Sequence, residues 1–246
     1  MQYISFNASI GDKVQVGRFT VIEDNVKIGD NCVIGNNVVI HEDTIVGNNV
    51  RIDDNTVIGK KPMRSVNSAL KQSDNHTGAI IGDECLIGAN VVIYCGCEIG
   101  QKTLVADLAS IRENVSIGMK TIVGRGVAIE NHCTIGGFCK LETNCYITAY
   151  SELGDSVFVA PGVTTSNDNF AGRSEKRFEE FKGITVKKGG RIGAGATILP
   201  GKVIEEDGFV SAGAVVTKDV PARKIVAGCP AKVLRDVPED QLLENQ

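Results

Sequence analysis

Polar side chains that can bind an amine or move a proton recur every eighteen residues in the middle of the chain. Each of them directly follows an aliphatic residue: Tyr94, Arg112, Glu130 and Thr148. Asn131 and His132 come directly after Glu130. Carboxylates, amides and imidazoles are the groups with which proteins orient an amine and accept its proton. The spacing predicts that these side chains form a ladder along one edge of the fold.

The elements that position this ladder follow from a six-residue repeat. In "SIRENVSIGMKTIVGRGVAIENHCTIG", residues 110–136, an aliphatic residue returns at Ile111, Ile117, Val123, Ile129 and Ile135. A hexad with one inward aliphatic residue and one small inward residue suits a short strand and a turn, and three hexads close a triangular coil. Such coils stack at about 4.8 Å and bury their aliphatic residues against their neighbours. The predicted fold class is an all-β parallel β-helix.

The three corners of the predicted coil differ in composition. The first corner, which follows Ile10 and every third hexad after it, is rich in glycine, and the second corner, after Val16, is mixed. The third corner, after Ile22, carries the ladder. The repeat is interrupted at about 59–80 and 166–185, and both insertions leave the third corner if Ile81 restarts the first. This concentration favours a functional site at the third corner, and a solvated edge is the alternative.

The positions of the cysteines predict that most of them are buried packing residues. Six of the eight occupy the small slot four places after a leading aliphatic residue: Cys32, Cys85, Cys97, Cys133, Cys139 and Cys145. A compact buried slot suits a free thiol. Cys95 and Cys97 form a C-x-C with no second pair at zinc-ligand spacing, so no metal site is predicted. Reduced thiols indicate a cytoplasmic location.

Charge and hydropathy narrow the expected partners. The 246-residue chain has a net charge of −4 and a pI near 5.5, which argues against a nucleic-acid partner. The first residues, "MQYISFNASIGDK", lack the pattern of a secretory signal. No apolar run approaches the roughly 18 residues of a membrane-spanning helix. Small molecules and further copies of the chain are therefore the expected partners.

Four segments carry a resemblance to a known family: "VFVAPGVTTSNDN", "IGAGATILPG", "SAGAVVTKDVP" and "VAGCPAKV". The chain resembles the hexapeptide-repeat acyltransferases over residues 10 to about 233, and most closely the sugar-nucleotide (dTDP-amino-sugar) N-acetyltransferases. The resemblance implies a left-handed parallel β-helix as the catalytic domain, residues 1–233, and a tail or short helix at 234–246. It also implies acyl-CoA-dependent N-acylation of a nucleotide-linked amino sugar, by a homotrimer whose sites lie between subunits.

The resemblance assigns an amine site. Asn167 and Asp168 match the Asn-Asp pair that the family places at the amino sugar, and Glu130 and Asn131 match a "V-x-I-E-N" segment that lines the sugar pocket. His132 stands where many members have Asp, so a histidine base is a hypothesis of its own. Three proton acceptors remain open: His132, His76 and the departing thiolate.

Charge and corner position assign further residues to the nucleotide sugar: Arg64, Tyr94, Asp107, Ser110, Arg112, Glu113, Arg125 and Glu142. The resemblance assigns the acyl-coenzyme to the C-terminal coils: Lys188, Ala194, Ala212, Gly213, Lys218, Arg223, Pro230 and Lys232. Small residues there leave backbone N–H groups open to the pantetheine amides, and the cations suit the phosphates. The first insertion carries bases that suit a phosphorylated ligand, or form a mobile loop: Lys60, Lys61, Arg64, Lys71 and His76.

Three other functions compete with this reading. An O-acetyltransferase acting on a small hydroxylated acceptor would use the same fold, but the N-D-N segment favours N-acylation. A non-catalytic scaffold would not need the coenzyme-like C-terminal segments. A metal enzyme such as a γ-type carbonic anhydrase needs three converging histidines, whereas His41 and His132 are separated by about four coils.

Overall fold

The computed structural model describes residues 1–66 and 76–246. Within these residues the chain winds into a solenoid whose three sides are sheets of 11, 10 and 12 strands. All pairings between coils are parallel, and each strand pairs with the strand one coil away. The predicted all-β parallel β-helix of hexapeptide repeats is confirmed.

Sheet I comprises β1 (Tyr3–Ile4), β4 (Val21–Ile22), β7 (Val39–Ile40), β10 (Val57–Lys60), β13 (Val92–Tyr94), β16 (Ser110–Ile111), β19 (Ala128–Ile129), β22 (Tyr146–Ile147), β25 (Thr164–Thr165), β28 (Thr197–Ile198) and β31 (Val215–Val216). Sheet II comprises β2 (Ser9–Ile10), β5 (Lys27–Ile28), β8 (Ile45–Val46), β11 (Ile80–Ile81), β14 (Glu98–Ile99), β17 (Ser116–Ile117), β20 (Thr134–Ile135), β23 (Glu152–Leu153), β26 (Thr185–Val186) and β29 (Val203–Ile204). Sheet III comprises β3 (Gln15–Val16), β6 (Val33–Ile34), β9 (Arg51–Ile52), β12 (Leu86–Ile87), β15 (Leu104–Val105), β18 (Ile122–Val123), β21 (Lys140–Leu141), β24 (Phe158–Val159), β27 (Arg191–Ile192), β30 (Phe209–Val210), β32 (Lys224–Ala227) and β33 (Lys232–Asp236).

The hexad determines which side chains form the core. In each two-residue strand the second residue points inward, so Ile111 and Ile129 are fully buried while Ser110 and Ala128 are partly exposed. Residues of successive strands stack in register, and the buried aliphatic column runs the length of the solenoid. Because strand faces alternate with a period of two, a shift of one residue would expose this column.

The slot residues tie neighbouring coils together. The Thr20 hydroxyl donates to the Gly35 carbonyl (2.8 Å), and the Cys97 and Cys133 thiols donate to the carbonyls of Arg112 (2.9 Å) and Thr148 (3.1 Å). Burial raises the pKa of both thiols to about 12, so they keep the proton that they donate. All eight cysteines are free and all but Cys229 are buried. The slot cysteines therefore support the backbone of the ladder.

The glycines of the first corner are required for a reason that differs from the expected one. We expect a turn glycine such as Gly118 to need a positive φ, but the positive φ falls two residues later, at Lys120 (55°). A Cβ at Gly118 would instead lie 2.4 Å from the Gly137 nitrogen in the next coil. The glycine stacks thus allow close approach between coils.

Both insertions leave the third corner, as predicted. The first joins β10 of sheet I to β11 of sheet II, and Ile81 does restart the first corner, because β11 pairs with β8 and β14. Residues 67–75, including Lys71, lie outside the described residues. The second insertion joins β25 to β26 and contains the short helix α1 (Arg177–Glu180). It returns to the coil at Gly183, which stacks on the Tyr150–Ser151 backbone.

The C-terminal end is a hairpin rather than a simple tail. β32 and β33 pair antiparallel, and β33 extends across the expected boundary at 233/234. Two 3₁₀ turns follow, Glu239–Gln241 and Leu243–Asn245, and Leu242 packs with Val237 and Ile225. Among the described residues, no helix has the length and apolar character needed to cross a membrane.

Candidate active site

The predicted ladder is present at the third corner. Ile93, Ile111, Ile129 and Ile147 pair in register along sheet I, so the side chains that follow them stack one coil apart. One coil corresponds to about 4.8 Å. β22 pairs with β25 through Tyr146 and Thr164, and this pairing carries the row onward to Asn167 at the start of the second insertion.

The ladder lines a pocket of about 250 Å³ at its C-terminal end. We call it the ladder pocket, and its walls are Glu130, Asn131, Tyr146, Thr148, Ala149, Tyr150, Asn167, Asp168, Arg177 and Phe181. Four predicted amine-site residues therefore lie together: Glu130, Asn131, Asn167 and Asp168. Glu130 and Asn167 meet because they occupy neighbouring positions of the same corner two coils apart.

Asp168 is fixed as an ionised carboxylate. Its Oδ1 accepts a hydrogen bond from the Phe170 amide (2.8 Å), and its Oδ2 accepts one from the Gly172 amide (2.9 Å). Arg177 Nε lies 3.4 Å from Oδ2. Desolvation raises the pKa of Asp168, but these hydrogen bonds and the guanidinium outweigh it and hold the pKa below its ordinary value. A carboxylate held in this way can orient an ammonium or amine group.

A buried charge network lies next to the ladder pocket. The Glu113 side chain is 2% exposed and pairs with Arg64 from the first insertion and with Arg112, whose Nε is 3.0 Å from Oε2. Arg112 also approaches Glu130, with Nη1 3.6 Å from Oε2. Desolvation raises the pKa of Glu113, but a backbone hydrogen bond and both arginines outweigh it, so the pKa is lowered. The first insertion is thereby attached to a residue of the ladder pocket.

Lys60 and Lys61 of the first insertion already have protein partners, as Arg64 does. Lys60 Nζ lies 3.3 Å from the Tyr94 hydroxyl and 4.8 Å from the centre of its ring, with the Arg112 guanidinium 4.9 Å from that centre. Lys61 pairs with Glu42 at 2.5 Å. A phosphorylated ligand would have to compete with these contacts.

The two candidate histidines lie apart on the same corner. His132 is exposed, has a φ of 58°, and stacks on the Tyr150 ring with centroids 5.4 Å apart. It therefore contacts a wall residue of the ladder pocket. His76 precedes Thr77, whose carbonyl accepts the Gly96 amide (2.8 Å) at the coil of Tyr94. That coil lies two steps from the coil of His132.

Several residues assigned to the nucleotide sugar lie elsewhere. Asp107, Arg125 and Glu142 follow sheet III and occupy the second corner, not the third. Asp107 Oδ1 accepts the Ala89 amide (2.9 Å), a contact that holds successive coils together. Ser110 lies on the outer face of β16. Within one chain, the structure does not bring these four residues into the ladder pocket.

The residues assigned to the coenzyme fall into three groups. Lys218, Pro230 and Lys232 line a pocket of about 310 Å³ beneath the β32–β33 hairpin, which we call the hairpin pocket. Ala194, Ala212 and Gly213 form second-corner turns, and a Cβ at Gly213 would meet open space. Lys188 and Arg223 lie at the first corner, where Arg223 pairs with Glu244 (3.2 Å).

Five walls of the ladder pocket escape prediction from the sequence: Tyr146, Ala149, Tyr150, Arg177 and Phe181. Tyr146 and Tyr150 flank a ladder hexad, so a search of the outward positions next to Thr148 could have found them. Arg177 and Phe181 belong to the second insertion, which has no repeat and hence no signal of where it folds back. Within the described residues, no group of three His, Cys, Asp or Glu side chains is arranged to hold a metal ion.

Comparison with known proteins agrees with this architecture. The family model for the bacterial transferase hexapeptide (six repeats) matches residues 7–42 and 28–60, and the model for the hexapeptide repeat of succinyl-transferase matches residues 78–106. These segments of the chain therefore carry hexapeptide repeats, and the predicted resemblance to the transferases built from that repeat is confirmed.

Three relatives illustrate the range of this resemblance. The bifunctional protein GlmU of Rubrobacter xylanophilus is 26% identical over 179 residues, 64% of this chain and 35% of the relative. The galactoside O-acetyltransferase of Escherichia coli is 35% identical over 88 residues, 35% of this chain and 43% of the relative. A 2,3,4,5-tetrahydropyridine-2,6-dicarboxylate N-acetyltransferase of Staphylococcus aureus is 52% identical over 50 residues, 20% of this chain and 21% of the relative. The chain thus spans less than half the length of these three relatives.

Proposed function

We propose that the protein transfers an acetyl or larger acyl group from acyl-CoA to the amino group of a nucleotide-linked amino-deoxy sugar, with a dTDP-linked sugar as the first candidate. The observation that carries the proposal is the ladder pocket, where Glu130, Asn131, Asn167 and Asp168 line one cavity. The acetyltransferase names of two relatives support acyl transfer in general. The motif resemblance supports the amino sugar.

The chemistry requires few groups. The amine nitrogen attacks the thioester carbonyl carbon, the carbon–sulfur bond breaks, and the products are an amide and the coenzyme thiol. The carboxylates of Glu130 and Asp168 would hold the amine close to the carbonyl, which supplies much of the rate enhancement in such reactions. The proton lost by the amine goes to His132, to His76 or to the departing thiolate. A backbone N–H would stabilise the oxyanion.

The acyl-coenzyme is assigned to the C-terminal coils. Lys218 and Lys232 line the hairpin pocket and supply positive charge for phosphates. Lys218 follows β31 of sheet I, so it lies on the same corner as Asn167, two coils further along. This arrangement supports a coenzyme that extends along the third corner toward the ladder pocket.

A thiol-release assay tests the proposed function. Several acyl-CoAs are combined with a panel of dTDP- and UDP-linked amino sugars, and mass spectrometry identifies the product. We expect release of thiol that depends on one amino sugar, with a mass gain equal to the acyl group. If thiol is released with a hydroxylated sugar and with none of the amino sugars in the panel, the proposed N-acylation is wrong and O-acylation takes its place.

The relative from Escherichia coli favours one alternative, O-acetylation of a small hydroxylated acceptor. Galactosides in the same assay distinguish O-acetylation from N-acylation. We expect no thiol release with galactosides, because only a pocket built for an amine needs two carboxylates at the acceptor. A non-catalytic scaffold would release no thiol with any acceptor and would bind no acyl-CoA.

We also propose a homotrimer in the cytoplasm. Asp107, Arg125 and Glu142 lie on a corner away from the ladder pocket of their own chain, and a neighbouring subunit could present them to it. The eight free thiols suit a reducing compartment. Light scattering should give three times the mass of the 26.1 kDa chain at micromolar concentration. A stable monomer would contradict the shared site.

A further inference from the structure

The ladder pocket contains two polar groups for which the described part of the chain supplies no hydrogen-bond acceptor. Within the residues that the structure describes, the side-chain nitrogen of Asn131 and Nε of Arg177 are both buried and make no hydrogen bond. Asn131 as a whole is only 2% exposed. Arg177 Nε has the Asp168 carboxylate 3.4 Å away, but this contact is an ion pair and not a hydrogen bond. Buried donors are paired in most native proteins, so each unpaired donor requires an explanation, and a bound molecule is one.

The remaining polar walls of the pocket have the opposite requirement. Glu130 and Asp168 contribute carboxylate oxygens, which accept hydrogen bonds. Their side chains are 28% and 17% exposed, so a bound molecule can reach them. A ligand that satisfies all four walls must therefore donate hydrogen bonds to the carboxylates and accept hydrogen bonds from Asn131 and Arg177.

The donors and the carboxylates lie close to each other along the chain and in the pocket. Glu130 and Asn131 are consecutive residues, and Arg177 contacts Asp168 directly. One small group of atoms must thus present both an N–H and an oxygen lone pair. An uncharged oxygen is sufficient, because Arg112 and Arg177 already balance the charges of Glu130 and Asp168.

We propose that the ladder pocket selects an acceptor in which the carbon that bears the amine is bonded to a carbon that bears a hydroxyl or ether oxygen. The amine faces Glu130 and Asp168, and the oxygen accepts hydrogen bonds from Asn131 and Arg177. Arg177 is in this way a specificity residue that the second insertion adds to the coil. The inference rests on the proposed function in taking an amine as the acceptor.

Two ring compounds of matched size test the oxygen requirement without any acyl donor. trans-2-Aminocyclohexanol carries the adjacent oxygen and cyclohexylamine lacks it, and binding of each to the full chain is measured by NMR titration. We expect the amino alcohol to bind at least about tenfold more tightly, because a site built around unpaired donors discriminates against a ligand without the oxygen. Equal affinities for the two compounds would overturn the proposal.

The variant Asn131→Ala supplies the second arm. Alanine is the residue at the same corner position one coil later, Ala149, so the backbone accepts it. We expect the preference for the amino alcohol to fall to within about twofold while the Tm stays unchanged or rises, because the variant removes an unpaired buried donor. A fall in Tm with the preference retained would show that Asn131 is only structural.

The two proposals fail separately. Probe binding needs no coenzyme, so an absence of thiol release would end the proposed function and leave the oxygen requirement measurable. Thiol release with an amine that lacks the adjacent oxygen, at the rate of one that has it, would end the oxygen requirement and leave the transferase intact.

Discussion

Replacing Glu113 by glutamine should destabilise the protein. Its carboxylate is 2% exposed and faces Arg64 and Arg112, whose side chains are 14% and 23% exposed. The variant leaves Arg64 without this anion and leaves Arg112 with the longer contact to Glu130 alone, at 3.6 Å. Removing one partner of a buried pair costs about 3–5 kcal/mol, and we expect about 3 because the arginines can partly turn toward water. For a chain of this size, that loss corresponds to a fall in Tm of roughly 6–12 °C.

Thermal unfolding followed by circular dichroism measures this loss at neutral pH. The matched control is Glu98→Gln, which neutralises an exposed glutamate that has no ion pair among the residues that the structure describes. We expect the control to shift the Tm by less than about 2 °C, as surface substitutions do. A Glu113→Gln variant as stable as the control would refute the argument that the charge network attaches the first insertion.

The pH dependence of stability gives an independent check. The pKa of Glu113 is lowered from 4.5 in the folded protein, so the unfolded chain takes up a proton first as the pH falls. The stabilisation from Glu113 is complete well above pH 4.5 and is lost as the pH falls through the folded pKa. The difference in Tm between the native protein and Glu113→Gln should therefore narrow below about pH 4.5. A difference that stays constant to pH 3 would exclude a charge effect.

Three further outcomes are expected. Asp168→Ala should lower the turnover number at least about tenfold, or 1.4 kcal/mol, with coenzyme affinity unchanged by calorimetry; an unchanged rate would reduce the third corner to a solvated edge. Gly118→Ala should lower the Tm more than a surface substitution does, because its Cβ would lie 2.4 Å from the Gly137 nitrogen; an unchanged Tm would mean that the coils separate freely. Steady-state assays of His132→Asn and His76→Asn identify the proton acceptor. If only one variant loses turnover, the histidine that it replaces is the base. If both variants keep full activity, the departing thiolate accepts the proton.

The repeat made most of the fold predictable. A period of eighteen residues is enough to place Glu130 beside Thr148 and to return Ile81 to the first corner after the first insertion, because stacked coils permit only one register. The family resemblance, and not the period alone, assigned Asn167 to the same site as Glu130. The period gives no information about the path of the two insertions, because their sequences do not repeat.

The missed features lie outside the repeat or depend on contacts between coils. Arg177 reaches the ladder pocket because α1 folds back over it, and no spacing in the sequence encodes that return. Arg64 was expected to bind substrate, yet its guanidinium pairs with Glu113. A buried carboxylate on one coil can attract a cation from an irregular segment, and the repeat gives no sign of such a pair. Gly118 was expected to need a left-handed turn, but the backbone of the next coil is what excludes a side chain there.

The way the coil closes again after each insertion has a consequence for how such a protein changes over generations. Ile45 and Val46 pair with Ile80 and Ile81 as if nothing intervened, and Glu152 and Leu153 pair in the same way with Thr185 and Val186. Each coil responds only to the coils directly above and below it. A lineage can therefore lengthen, shorten or exchange either loop while the aliphatic contacts inside the solenoid stay the same. Loss of Arg177 leaves that interior intact, whereas loss of Arg64 leaves the buried Glu113 with Arg112 as its remaining arginine. Acceptor preference can drift quickly on a scaffold whose interior is under constant constraint.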